Sequence, residues 1–150
     1  MMVKKNEFSA EPCPVARSVD LVGDRWSLLI VRDAFDGVRR FTDFQRNLGV
    51  ARNILADRLR RLVEAGILVA QPTANGGAYQ EYVLTERGQK LFPVVVALRQ
   101  WAEAELFAPG EARSELVEKK TGKQLGRMAP VGQDGNLLAP GDAEVRKLPR

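Results

Sequence analysis

The sequence contains no histidine and a single cysteine, Cys13. Within one chain, these absences exclude a Ser-His-Asp triad, a Cys-His nucleophile, a histidine-ligated metal and a zinc ribbon built from CxxC pairs. No glycine-rich phosphate loop is present to support carboxylate or lysine chemistry. We therefore expect no catalytic residues, no metal and no cofactor, and an enzyme is the weakest hypothesis for the function.

Long apolar runs are also missing. No stretch reaches the roughly 18 residues of a membrane-spanning helix, and residues 1–7 contain no apolar signal-peptide core. The chain has 150 residues, of which 45% are hydrophobic and 28% charged, and these values are ordinary for a globular domain with one core. We expect a soluble cytoplasmic protein with no membrane partner and with a flexible N-terminal arm over residues 1–11.

The segment from Phe41 to Gly66 has the pattern of two helices joined by a tight turn. Apolar residues recur with helical spacing in both halves, namely Phe41, Phe44 and Leu48 in the first and Leu55, Leu59 and Leu62 in the second. Leu48 to Val50 supplies the short turn, and Gly66 supplies the C-terminal stop. The segment is predicted to be a helix-turn-helix whose second helix has one buried stripe and a basic outer face, as a recognition helix needs.

Positive charge is concentrated in the same segment. Residues 39–61 carry a surplus of five positive charges, whereas the whole chain is +4, so the remainder is −1. The arginines are Arg39, Arg40, Arg46, Arg52, Arg58, Arg60 and Arg61. Localised positive charge on a helix-turn-helix indicates DNA binding. The alternative is a surface helix with solvated arginines, although mixed surfaces usually intersperse charges of both signs.

Cys13 precedes a predicted helix. Pro14 suits the first position of a helix that continues to Val22, which places Cys13 at or near the helix N-terminus. The free amide groups and the helix dipole at that position favour a thiolate, so Cys13 is a candidate redox sensor. The alternative is a small buried hydrophobic residue.

A second helix is predicted from Trp26 to Phe35. Gly23 and Asp24 provide the break and the N-cap before it, and Asp36 with Gly37 ends it. Trp26 lies on the apolar stripe of this helix. We interpret it as a core residue, with ligand stacking as the alternative.

A β-hairpin is predicted after Gly66. Two β-prone runs, residues 67–72 and 79–84, flank an Asn-Gly-Gly turn that begins at Asn75. A hairpin directly after a recognition helix forms a wing that can reach DNA. Because its tip has no Arg or Lys, we expect contacts from Asn75 and backbone amides.

A long final helix is predicted from Glu86 to Phe107, with Thr85 as its N-cap and a kink near Pro93. Its broad apolar face comprises Leu91, Val94, Val95, Leu98, Trp101 and Ala102. We expect this face to meet the same helix of a second subunit in a homodimer. The alternative is that the face packs only on its own domain.

Pro109 and Gly110 mark a boundary, and turn signals such as Asp134-Gly135 separate short mixed runs beyond it. We interpret this tail as small β elements docked on the dimer, with disorder as the competing interpretation. The predicted fold is mainly α with a small β-hairpin (α+β). It is a winged helix-turn-helix domain over residues 12–108 with a β-rich or irregular extension over residues 109–150.

An ordered set of motifs resembles the HxlR-type winged-helix transcriptional regulators, which are MarR-like. The motifs are Cys13 to Trp26, Leu29-Ile30, Gly37 to Phe44, Leu59 to Leu62, Glu64 to Gly66, Tyr82 to Thr85, Gly88 and Trp101. The resemblance implies a homodimer with terminal helices at its interface that binds inverted-repeat operators. It places Arg40 at a phosphate contact, Arg52 and Asn53 at the start of the recognition helix, and Cys13 at a cysteine that several members use for sensing. Ala51 departs from the family, which often has a capping hydroxyl residue there.

The expected function is therefore sequence-specific transcriptional regulation, with repression favoured. We expect Arg52, Asn53 and either Asp57 or Arg60 to read the major groove, and Arg39, Arg40, Arg46 and Arg61 to hold phosphates. The signal is predicted to be oxidation of Cys13 or a small apolar effector enclosed near Trp26 and Trp101. The main alternative is a winged-helix protein-interaction module that does not bind DNA.

Overall fold

The computed structural model describes residues 8–74, 76–77 and 79–149. Its helices and strands are α1 Pro14–Val22, α2 Arg25–Phe35, α3 Phe41–Leu48, α4 Arg52–Glu64, β1 Leu68–Pro72, β2 Gln80–Leu84, α5 Glu86–Gln89 and α6 Phe92–Glu105, followed by a 3-10 turn at Pro140–Asp142. The chain divides into two compact units, the first ending at Val95 and the second beginning at Val96. The domain bounds of 12–108 and 109–150 stay predictions, and the arm over residues 1–11 lies mostly outside the described residues.

Capping residues account for one end of each of the helices α2, α3 and α4. Asp24 caps α2, since its Oδ2 accepts a hydrogen bond from the Ser27 amide at 3.0 Å. Helix α3 ends at Leu48, because the following Gly49 has a φ of 63° in the left-handed region. The amides of Gly66 and Ile67 donate to Val63 and Leu62 in a Schellman motif that ends α4. The predicted helix start at Pro14, the predicted N-cap at Asp24 and the predicted stop at Gly66 are thus confirmed.

The predicted hairpin is also confirmed. Strands β1 and β2 pair antiparallel, with Leu68 opposite Leu84 and Pro72 opposite Gln80. Thr73 donates its amide to the Tyr79 carbonyl beyond the last pair. The helix-turn-helix therefore continues directly into a two-stranded wing.

Thr85 and Gly88 join the wing to the end of α4. The Thr85 hydroxyl donates to the Gly66 carbonyl, and its Oγ1 accepts from the Gly88 amide at 3.0 Å. A Cβ on Gly88 would lie 2.2 Å from the carbonyl oxygen of Ile67, so only glycine fits at this position. Thr85 thus caps α5 as predicted and also fixes where the hairpin leaves the recognition helix.

The prediction of one kinked helix from Glu86 to Phe107 was wrong. The structure has two helices, because α5 ends at Gln89 and α6 begins at Phe92. Pro93 cannot donate to the carbonyl of Gln89, four residues earlier, and its ring would clash with that carbonyl. The chain therefore breaks where a continuous helix would need that hydrogen bond.

The core of the first unit lies where α2, α3, α4 and β1 meet. It consists of Val22, Ile30, Val31, Phe44, Val50, Leu55, Leu59, Leu62, Ile67 and Leu68. The predicted stripe of α4 is completely buried, and Trp26 packs against this cluster as predicted for a core residue. The buried leucines therefore fix which side of α4 faces solvent.

The predicted apolar face of the last helix is divided. Leu91 and Val95 pack against the core of the first unit. Val94, Leu98 and Trp101 are exposed, by 59% in the case of Trp101. Part of the face therefore packs on its own domain, and part remains open to solvent.

In the second unit, the tail is irregular rather than built from strands. Within the described part of the tail, pairing is limited to single bridges between Val117 and Gln124 and between Val131 and Leu137. The predicted turn at Asp134-Gly135 is present, since Gly135 has a φ of 84°. The extension was predicted to be β-rich or irregular, and the structure shows the irregular form. Docking of the tail on a dimer stays a prediction.

Candidate DNA interface

Helix α4 presents its N-terminus without a side-chain cap. Ala51 occupies the N-cap position, and no side chain accepts a hydrogen bond from the first amides of the helix. This agrees with the missing cap that the sequence predicts at Ala51. Unpaired amides at a helix N-terminus favour an anion such as a phosphate.

The first residues of α4 are exposed. Arg52 and Asn53 are both exposed, and the helical spacing places Asn53 opposite the buried stripe. The Arg52 guanidinium carbon lies 4.9 Å from the centroid of the Phe41 ring, a cation–π contact between α4 and α3. The Phe41 contact restrains the Arg52 side chain while leaving it accessible.

Asp57 forms the centre of an ion-pair network. Its carboxylate accepts hydrogen bonds from Arg58 at 2.7 Å and from Arg60 at 2.6 Å, and it forms an ion pair with Arg61 at 3.1 Å. Partial burial alone would raise the pKa of Asp57, but these three guanidinium groups outweigh it and hold the pKa below the ordinary value. The carboxylate is therefore occupied, and base contacts by Asp57 or by Arg60 would require some of these pairs to open.

Arg58 contacts the start of a neighbouring helix, a role that was not predicted from the sequence. Its Nε donates to Asp24 Oδ2 at 3.0 Å, the same oxygen that caps α2. Arg58 thus ties the recognition helix to the start of α2. Its spacing of three residues after Leu55 and four before Leu62 places it beside the buried stripe, and this spacing is the sequence signal that could have identified its role.

The arginines before and within α3 are all exposed, but they differ in their partners. Arg39 pairs with Glu81 at 3.4 Å, and Arg46 pairs with Asp43 at 3.4 Å. In the described ranges, Arg40 forms no ion pair. Arg40 is therefore the least neutralised of these three guanidinium groups.

Arg40 also borders a groove between the start of α3 and the wing. The groove is lined by Arg40, Phe41, Thr42, Tyr79, Gln80 and Tyr82. The Tyr82 amide donates to the Arg39 carbonyl at 2.8 Å, which fixes the wing against the residues before α3. Thr42, Tyr79 and Gln80 are exposed there and were missed by sequence reasoning, because only the tertiary structure brings residues 40–42 next to residues 79–82.

Asn75 and Cys13 are the remaining predicted site residues. Asn75 lies outside the described residues. Cys13 is the N-cap of α1 and is exposed, and its Sγ accepts a hydrogen bond from the Ala16 amide at 3.5 Å. The predicted position of Cys13 at a helix N-terminus is thus confirmed, and the buried alternative is wrong.

No group of three or more metal-ligating side chains clusters in the described residues. No helix among them is long and apolar enough to cross a membrane.

The sequence and the fold are both similar to those of known regulators. A model of the HxlR-like helix-turn-helix family matches residues 21–108. The chain is 48% identical over 95 residues to the HTH-type transcriptional regulator Mb3122 of Mycobacterium bovis, a match that covers 63% of this chain and 60% of that protein. The chain thus spans less than two thirds of the length of this relative.

Two solved structures extend the comparison. PA1607, crystallised as a candidate transcription factor, is 50% identical with a TM-score of 0.87, covering 93% of this chain and 97% of that one. The redox regulator HypR in its oxidised form is 30% identical with a TM-score of 0.58, covering 64% of this chain and all of that one. The similarity to PA1607 extends beyond residue 108, where the family model ends, into most of the tail.

Proposed function

The chain belongs to the HxlR-like helix-turn-helix family, and from that premise we propose that it is a sequence-specific DNA-binding repressor that acts as a homodimer on inverted-repeat operators. The observation that carries the proposal is the uncapped N-terminus of α4, where Arg52 and Asn53 are exposed in a helix-turn-helix segment that is rich in arginine. An Arg can pair bidentately with guanine and an Asn with adenine.

The contacts of the arginines suggest different roles on DNA. We assign base reading first to Arg52 and Asn53, because Asp57 and Arg60 are held in the ion-pair network. Phosphate contacts are assigned to Arg39, Arg40, Arg46 and Arg61, with Asn75 retained on sequence grounds. Among them Arg40 is expected to contribute most, since no carboxylate within the described ranges competes for it.

Fluorescence anisotropy with duplex DNA, titrated in salt, tests this assignment. We expect Arg40→Ala to weaken binding on every sequence and to reduce the slope of log K against log salt by about one. Asn53→Ala should relax preference at one base pair, at a cost of about 1–3 kcal/mol in discrimination. Arg146→Ala, which removes an exposed arginine of the tail, is the matched control and should change neither quantity.

Two outcomes would contradict the assignment. Equal losses on operator and random DNA for both variants would remove the distinction between base and phosphate contacts. No salt-dependent affinity for any duplex would favour the protein-interaction module instead.

The homodimer is supported by apolar side chains that are exposed in one chain. Val15 and Val19 on α1 are 69% and 51% exposed, and Leu98 and Trp101 on α6 are 49% and 59% exposed. Such residues are typical of an interface between subunits. Sedimentation analysis of Leu98→Asp should show a shift from dimer to monomer, whereas Leu137→Asp, an exposed tail control, should remain dimeric.

We also propose that oxidation of Cys13 controls DNA binding. Its exposed Sγ at the start of α1 supports this, as does the similarity to a protein described as a redox regulator. Because the chain has one cysteine, a disulfide from Cys13 joins two chains or one chain and a small thiol. Diamide should abolish DNA binding of the wild type and spare Cys13→Ser. Loss of binding in both would mean that diamide acts without Cys13 and would contradict the proposal.

A further inference from the structure

The second unit contains a concave site that the proposed function does not use. It has a volume of about 230 Å³ and lies between the C-terminal half of α6 and residues 113–127 of the tail. This volume is below the roughly 300–1,000 Å³ of pockets for drug-sized ligands. Its apolar lining comes from Val96, Leu116 and Leu125. The site therefore fits a small molecule with an apolar body.

The charged lining of this site is mainly positive. Arg99, Arg113 and Arg127 line it, and Glu103 is the acidic residue among the lining side chains. Arg99 and Arg113 are partly committed, since their Nη1 atoms donate to Ser114 and to the Glu103 carbonyl. Arg127 forms no ion pair within the described ranges. A surplus of guanidinium groups beside an apolar wall selects a carboxylate, which an arginine can bind through two hydrogen bonds.

The wall of the site is held in place by buried hydrogen bonds. Gln100, which is 9% exposed, donates from Nε2 to the Gly126 carbonyl at 3.0 Å and accepts at Oε1 from the Met128 amide at 2.8 Å. These two bonds flank Arg127 in the chain. The backbone on both sides of Arg127 is thus fixed to α6, so its guanidinium is presented from a restrained position.

We propose that this site binds a small organic carboxylate, with its apolar body against Val96, Leu116 and Leu125 and its carboxylate paired with Arg127. The tail forms half of the site, so the site depends on the extension beyond residue 108 where the family model ends. The proposal does not depend on DNA binding. If the protein is a repressor, the ligand is an effector distinct from an oxidant of Cys13.

Isothermal titration calorimetry of the full chain with benzoate, benzamide and benzylamine tests the charge requirement. We expect measurable binding of benzoate, with benzamide and benzylamine at least about tenfold weaker, because only benzoate can form the charge-assisted pair. Equal binding of benzoate and benzamide, or no binding of benzoate at millimolar concentration, would overturn the proposal.

Two variants locate the binding. Arg127→Gln should weaken benzoate binding about tenfold, whereas the matched control Arg146→Gln, in an exposed part of the tail, should not. Ala104→Leu keeps every arginine and narrows the site, so it should also weaken benzoate binding. Thermal melts of each variant report its folding separately. If Arg127→Gln weakens DNA binding and leaves benzoate binding unchanged, the site contacts a DNA backbone and the proposal is wrong.

Discussion

The two units of the chain are held together in different ways. The unit that ends at Val95 is organised around a cluster of fully buried side chains, among them Phe44, Leu55 and Leu59. In the tail, Gln100 holds the backbone through hydrogen bonds with Gly126 and Met128, whereas Leu137 and Val145 are 72% and 81% exposed. Burial of one leucine contributes about 1.5–3 kcal/mol, and a hydrogen bond contributes about 1 kcal/mol. We therefore expect the first unit to have the larger free energy of unfolding and the second unit to open more easily.

The largest expected difference concerns buried volume. Leu59→Ala removes a side chain that is 1% exposed and should reduce the free energy of unfolding by about 2–5 kcal/mol. Leu138→Ala, at a half-buried position of the tail, should cost less than about 1 kcal/mol. Urea denaturation followed by circular dichroism measures both. Similar losses for the two variants would contradict the difference between the units.

A pair of glycine substitutions provides a second comparison. Gly88→Ala would place a Cβ 2.2 Å from the Ile67 carbonyl oxygen, and the wing would have to shift at a cost of about 1–3 kcal/mol. Gly126→Ala, in the tail, meets no atom within 4 Å and should be neutral within about 0.5 kcal/mol. The midpoint of thermal unfolding reports both. A neutral Gly88→Ala would mean that the joint between α4 and the wing can relax.

A substitution of Gln100 should destabilise the tail without affecting the first unit. Gln100→Ala removes the acceptor of the Met128 amide and the donor to the Gly126 carbonyl, a local loss of about 1–3 kcal/mol. Hydrogen exchange at Met128 should accelerate, while exchange at Leu59 should not change. Gln100→Glu keeps the acceptor and should protect Met128 better than the alanine variant does. Acceleration at both positions would show that the two units unfold together.

The smallest effect is expected from pH. Partial burial would raise the pKa of Asp24, but hydrogen bonds from Ser27 and the guanidinium of Arg58 outweigh it and lower that pKa. A depressed carboxyl pKa stabilises the fold at pH values above the unfolded pKa of about 4, and this contribution is lost as the pH falls through the folded pKa.

Asp24→Asn keeps an N-cap and removes the charge, so it isolates this contribution. Its stability should differ from that of the wild type by less than about 1 kcal/mol at neutral pH, and the difference should vanish in acid. Urea titrations between about pH 2 and pH 7 measure it. A difference that grows in acid would contradict the direction of the shift.

Features that depend on residues close together in the chain could be predicted from the sequence, whereas contacts between distant residues could not. Helix caps such as Asp24 and Thr85, the stop at Gly66 and the buried stripe of α4 depend on residues within a few positions, and all of them are found. The break before Pro93 is equally local, but the apolar periodicity across it predicted one helix. The groove around Arg40 and the ion pair of Arg58 with Asp24 join residues 34 or more positions apart, which no local pattern contains.

The sequence by itself determined the family, the order of the helices and hairpin, and the concentration of arginines in one segment, because spacing, caps and charge are written in neighbouring residues. The tertiary structure decided which arginines are restrained and which remain accessible. Arg58 is tied to Asp24, whereas Arg40 lies beside the wing with no ion pair in the described part of the chain. The physical reason is that a guanidinium pairs with whichever carboxylate the fold brings within about 4 Å, and that distance is set by the packing of the core.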